Sequence, residues 1–136
     1  MPAFAWWPGT VTPGSVSYHV AYFADFLPTL ADLTGTPAPA ATDGISFLPT
    51  LQSRPAEQRE HEYLYWEFYE QGSAQAVRAG RWKGVRMPMR TGAMELYDLE
   101  VDPGEIRNVA AEHPDVVRRL EEYMERAHVP APGWGD

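Results

Sequence analysis

The spacing of apolar and polar residues changes near the middle of this 136-residue chain. From residue 62 the two kinds alternate at period two: over 62–69, Leu64, Trp66 and Phe68 fall on one face and Tyr63, Tyr65 and Tyr69 on the other. That alternation predicts an amphipathic aromatic strand. Gln71-Gly72-Ser73 turns the chain, and strand patterns recur over 75–79, 82–87 and 95–99, divided by Ala79-Gly80 and by a loop over 88–92. Four short strands with tight connections predict an antiparallel meander. After the turn Asp102-Pro103-Gly104-Glu105 the period lengthens to that of a helix over 114–128. Val116, Val117, Leu120, Tyr123, Met124 and Ala127 form one stripe, Pro114 suits the first helical position, and Asp115 suits the positive end of the dipole. Laid on one face of the meander, this helix buries five large side chains at about 1.5–3 kcal/mol each before entropy. Arg118–Glu122 and Glu122–Arg126 have the spacing of weak ion pairs.

The first half reads differently. Residues 3–7 are apolar without alternation and end at Pro8-Gly9, the pattern of a strand buried on both faces of a parallel sheet. Such a strand needs neighbours that the chain does not supply. Residues 18–23 are again apolar. Asp25 has the place of a helix cap, with Phe26, Leu27, Leu30 and Leu33 at helical spacing, Pro28 in the first turn and Gly35 as the stop. Residues 36–44 are coil, 47–51 one helical turn, and 53–60 a polar linker that holds the main boundary. The tail beyond residue 130 is extended, with Trp134 docking on the surface.

Composition narrows the function classes. The 13 prolines and 11 glycines fit short elements and many turns. A net charge of −8 opposes phosphate backbones, and the densest basic stretch (Arg78, Arg81, Lys83, Arg86, Arg90) is divided between two strand faces, so no nucleic-acid partner is expected. No apolar run approaches the roughly 18–20 residues of a membrane span, and the first eight residues lack the features of a signal peptide; compartment stays open. With no cysteine there is no disulfide, thiolate metal site or cysteine nucleophile.

Candidate chemistry is sparse. Asp98, Glu100, Asp102 and Glu105 superficially resemble a calcium loop, but the sixth position is Pro103 and the closing position Val109. His19, His61, His113 and His128 lack zinc-helix spacing, His113 reads as a cap-region residue, and His61 has no identifiable base partner. No nucleophile elbow or phosphate-cradling loop is present. Residue by residue, the chain is a small α+β module without a complete catalytic set.

A series of short motifs in order resembles the C-terminal third of the sulfatase family, of the arylsulfatase or N-acetylgalactosamine-6-sulfatase kind. It runs from Pro2-Ala3-Phe4-Ala5-Trp6-Trp7-Pro8-Gly9 through Asp25-Phe26-Leu27-Pro28-Thr29-Leu30 and Asp43-Gly44-Ile45-Ser46 to Tyr65-Trp66-Glu67. Gln75-Ala76-Val77-Arg78-Ala79-Gly80-Arg81-Trp82-Lys83, Glu95-Leu96-Tyr97-Asp98-Leu99, Asp102-Pro103-Gly104-Glu105, Asn108-Val109-Ala110 and His113-Pro114 complete it. The resemblance implies an α+β region: a four-stranded antiparallel sheet packed by a C-terminal helix, preceded by a strand–helix remnant of an alkaline-phosphatase-like α/β domain. Residues 1–55 would then be the terminal segment of the large domain, and 56–136 the small one.

The resemblance also implies sulfuric ester hydrolysis by a formylglycine made from Cys or Ser, aided by a carboxylate-bound cation, usually calcium. Neither the formylglycine motif nor the metal-binding Asp pairs occur here; in Ser53-Arg54-Pro55-Ala56-Glu57 the proline comes one place early and Glu stands where Arg belongs. The expectation is a fragment inactive alone, with no catalytic or metal residue, calcium and formylglycine belonging to a full-length parent. Its partner would be the missing N-terminal sulfatase domain, or a second copy through residues 1–35. In the family the turn after the Trp-Glu strand approaches the active-site mouth, which makes Glu67, Gln71 and Gln75 the expected substrate-rim groups, while Lys83 and Arg78 are read as sheet-surface cations. The alternative is an independent module that binds sulfated sugars or a partner chain.

Overall fold

Period-two alternation in the second half becomes four strands: β1 (Leu64–Phe68), β2 (Ala74–Ala79), β3 (Trp82–Arg86) and β4 (Met94–Asp98). They lie in the order β1-β2-β3-β4, each antiparallel to the next, as the meander requires. The computed structural model describes residues 3–130, so Trp134 lies outside the described residues. The chain divides into two compact units, after His61.

In the second unit the register puts Tyr65, Val77, Gly84 and Leu96 in one row across the sheet. The C-terminal helix α3 (Pro114–Ala127) covers this row, and Val116, Leu120 and Met124 join Val77, Met94, Leu96 and Val109 in the core. Gly84 is what permits the close approach: a Cβ there would stand 2.8 Å from Met94 Sδ and 3.2 Å from Leu120 Cδ1. Arg126 does not pair with Glu122; it reaches Glu62 at 2.8 Å and lies over the rings of Tyr63 and Tyr123. On the opposite sheet face Trp66 and Phe68 remain 41% and 52% exposed. The outer edge of β4 is partly sealed, because Asn108 Oδ1 accepts from Leu96 N–H at 3.1 Å and Val109 N–H donates to Leu96 O at 2.8 Å.

The first unit holds α1 (Phe26–Thr34), stopped by Gly35 in the left-handed conformation, and the single turn α2 (Leu48–Leu51). Three expectations are corrected here. Residues 3–7 form no strand; Phe4 and Trp6 are 97% and 84% exposed. An apolar run cannot form a ladder without a neighbour to take its N–H and C=O groups. Asp25 does not cap α1 with its side chain. Its carboxylate is wholly buried and accepts from Tyr22 N–H (2.9 Å), Ile45 N–H (2.8 Å) and His61 Nε2 (2.8 Å). His61 therefore does have an acidic partner, 36 residues away in sequence. Gly44 is obligatory beside this knot, since a Cβ would fall 2.1 Å from Ala24 O.

Candidate functional site

Strand register places two of the expected rim residues side by side, Glu67 opposite Gln75. Both point to the face that carries α3, and the end of that helix delivers His128 to them. Glu67 Oε1 accepts from Tyr65 OH and from His128 Nδ1, the latter at 2.5 Å, while Oε2 accepts from Tyr69 OH at 2.5 Å. Gln75, only 2% exposed, donates from Nε2 to Tyr65 OH at 2.8 Å and accepts Arg90 N–H on Oε1 at 3.0 Å. Gln71 sits apart, exposed at the turn over residues 69–73, with φ +56°. The structure thus gathers Glu67 and the buried Gln75 in one half-buried network and leaves Gln71 on the turn.

Burial pushes the Glu67 carboxyl up, but the hydrogen bonds from Tyr65, Tyr69 and His128 outweigh it and hold the group below its ordinary value. The same network raises Tyr65, first by burial and then because its proton is held by Glu67. His128 bridges the cluster to the facing loop: its Nδ1 lies on Glu67 Oε1, and its Nε2 lies 3.4 Å from Arg90 Nη1.

Sequence reasoning did not single out Tyr65, Tyr69, His128 or Arg90 for this cluster. Tyr65 and Tyr69 were legible as sharing the face of Glu67 by alternation. His128 and Arg90 come from 61 and 15 positions away, and no local pattern marks them. A second loop joins the first: Ser73 Oγ accepts Met89 N–H at 3.1 Å, so the β1–β2 and β3–β4 connections are bound to each other.

The remaining candidate residues are engaged elsewhere. Asp98 pairs with Arg81, Glu105 holds Lys83 at 2.6 Å, and Asp102 Oδ2 accepts the amides of Ile106 and Arg107 at 2.8 and 2.9 Å. These carboxylates serve a loop and its surface cations. Arg78 donates to Gly80 O at 3.2 Å, and His113 lies against the ring of Trp82 at 4.8 Å. Among the described residues no group of three or more His, Cys, Asp or Glu side chains is placed to hold a metal ion. The calcium implied by the resemblance therefore has no fitting donor set among them. No helix among them is long and apolar enough to cross a membrane.

Comparison with known proteins bears on this arrangement. A family profile described as N-sulphoglucosamine sulphohydrolase, C-terminal, matches residues 1–129. Human arylsulfatase A is 31% identical over 90% of this chain and 29% of its own length. The N-acetylglucosamine-6-O-sulfatase of Bacteroides thetaiotaomicron is 28% identical over 92% of this chain and 24% of its own. A protein solved in complex with its substrate D-glucosamine-2-N,6-O-disulfate superposes with a TM-score of 0.73 at 26% identity, covering 88% of this chain and 26% of that one. The chain thus spans under a third of each of these relatives.

Proposed function

The chain belongs to the sulfatase family, as its C-terminal region, and from that premise we propose that it is a fragment which completes a sulfuric ester hydrolase without carrying the chemistry. In this reading its second unit is a rigid support whose β1–β2 loop borders the substrate cleft, with Glu67, Gln71 and Gln75 as the rim: Gln71 at its surface, Glu67 and Gln75 beneath it. The nucleophile and the cation belong to a catalytic portion outside residues 1–136. The observation that carries the reading is the match over residues 1–129 to a C-terminal region, in a sequence that has no cysteine and no formylglycine motif. The disulfated sugar bound by the superposing protein supports a sulfated saccharide as the substrate class.

The test is hydrolysis of p-nitrophenyl sulfate. The chain alone should release no nitrophenol above a heat-killed control, with or without calcium, and should turn over the ester once joined to a sulfatase catalytic portion. Turnover by the chain alone would end this reading. Saturable binding of sulfated oligosaccharides by the chain alone would favour an independent binding module instead.

A further inference from the structure

The β1–β2 and β3–β4 loops share an uncommon backbone feature. Gln71, Gly72 and Ser73 have φ of +56°, +97° and +62°, and Arg90 on the facing loop has +67°. Residues other than glycine rarely take this conformation unless their surroundings impose it. Here they do. Ser73 Oγ holds Met89 N–H, and the buried Gln75 holds Arg90 N–H. Gln75 is itself oriented by Tyr65, which is oriented by Glu67. The main chain at Arg90 is thus fixed from the core outward.

The Arg90 side chain is exposed, and its nearest polar partner is an imidazole nitrogen, not a carboxylate. Arg81, Lys83, Arg86, Arg107 and Arg126 each face a Glu or Asp. Arg90 makes no such ion pair among the described residues, as is also true of Arg59, Arg78, Arg118 and Arg119, but of these it is Arg90 whose main chain is fixed by the buried Gln75, in a chain with 19 acidic side chains against 11 basic ones. With a single contact to an imidazole nitrogen at 3.4 Å, the guanidinium keeps most of its donors for a ligand, and its planar fork can donate two parallel hydrogen bonds to a sulfate or carboxylate.

Resting on the rim reading above, we propose that Arg90 contacts a second anionic group, a sulfate or a uronate carboxylate, on the saccharide whose ester the complete enzyme cleaves, and that Gln75 is the positioning residue that presents it. The specificity this confers is for saccharides bearing two negative groups over those bearing only the scissile one.

The test compares kcat/KM for three substrates of the chain joined to its catalytic portion: a disulfated disaccharide, a monosulfated disaccharide containing a uronate, and p-nitrophenyl sulfate. Arg90→Gln should lower the preference for the two-anion saccharides over the aryl ester about tenfold, through KM, the size of one charged hydrogen-bonded contact. The saccharide that loses more identifies sulfate or carboxylate as the partner. Arg90→Lys should recover part of the loss, and Gln75→Met should reproduce it in weaker form. An unchanged preference in Arg90→Gln overturns the proposal. If the joined protein hydrolyses no sulfate ester, the sulfatase reading has failed, and the isolated chain decides the matter for Arg90. Its Nε–H resonance should then move on adding the disulfated disaccharide and stay still with the desulfated sugar; no movement with either overturns the proposal too.

Discussion

Asp25 has no exposed surface, yet its carboxylate is satisfied by two main-chain amides and an imidazole. Replacing it by Ala leaves the half-buried Tyr22 and Ile45 N–H groups without their acceptor, at a cost of about 2–3 kcal/mol to the first unit. Asn should cost less, about 1–2 kcal/mol, since its one carbonyl oxygen can serve a single amide while its NH2 opposes the other. Hydrogen exchange at the Tyr22 and Ile45 amides reports both values, and unchanged protection in Asp25→Ala would refute the argument. Glu67 permits a prediction in pH. Its folded value lies below the ordinary 4.5 because of its three donors, despite burial. A depressed carboxyl stabilises the fold above its unfolded value, and that contribution disappears as pH falls through the folded one. Urea midpoints of the chain should therefore drop as pH is lowered below about 4.5, and Glu67→Gln should flatten that part of the profile. An identical acid slope in the variant would show that Glu67 is not the group responsible.

Among the elements, the contact between α3 and the sheet centres on Leu120 above Gly84. Leu120 is 0% exposed, so Leu120→Ala should destabilise the second unit by about 3 kcal/mol through lost transfer energy and a residual cavity. Gly84→Val should cost a comparable 1–3 kcal/mol or so by the opposite route, overpacking, while Gly84→Ala meets only movable side-chain ends and costs less. Amide exchange in β2 and β3 measures all three, and equal effects of Ala and Val at position 84 would show that the helix is not held at this distance. This part of the fold was legible in the sequence to within two residues at strand ends, because alternation and the apolar stripe are local signals that packing reinforces. The apolar run over residues 3–7 misled for a complementary reason: its pattern specifies a strand, but pairing depends on groups elsewhere. Asp25 stood where a cap should stand, and its true partners, Ile45 and His61, lie 20 and 36 positions away. The cluster around Glu67 shows the same division. Alternation puts Tyr65, Glu67 and Tyr69 on one face, whereas Arg90 is one member of a scattered basic stretch that Gln75 and His128 reach only in the folded chain.

For the molecule as a whole, the unpaired segments of the first unit matter most. Phe4, Trp6, Val16, Tyr18 and Phe23 are between 78% and 97% exposed. Large apolar side chains exposed to this degree are costly in water and are ordinarily covered by another surface. We propose that it is covered by the rest of a sulfatase domain, and that an isolated chain covers it with a second copy through residues 1–35. The weight-average mass in sedimentation should then rise with concentration. A variant with Phe4, Trp6 and Phe23 replaced by Ser should sediment as a monomer at the same concentrations, with the exchange protection of β2 and β3 unchanged, because none of these residues belongs to the core of the second unit. If the unaltered chain stays monomeric throughout, this surface does not seek a partner. If the triple variant associates as strongly as the parent, the half-exposed Trp66 and Phe68 become the surface to alter next, and residues 1–35 lose their assigned role.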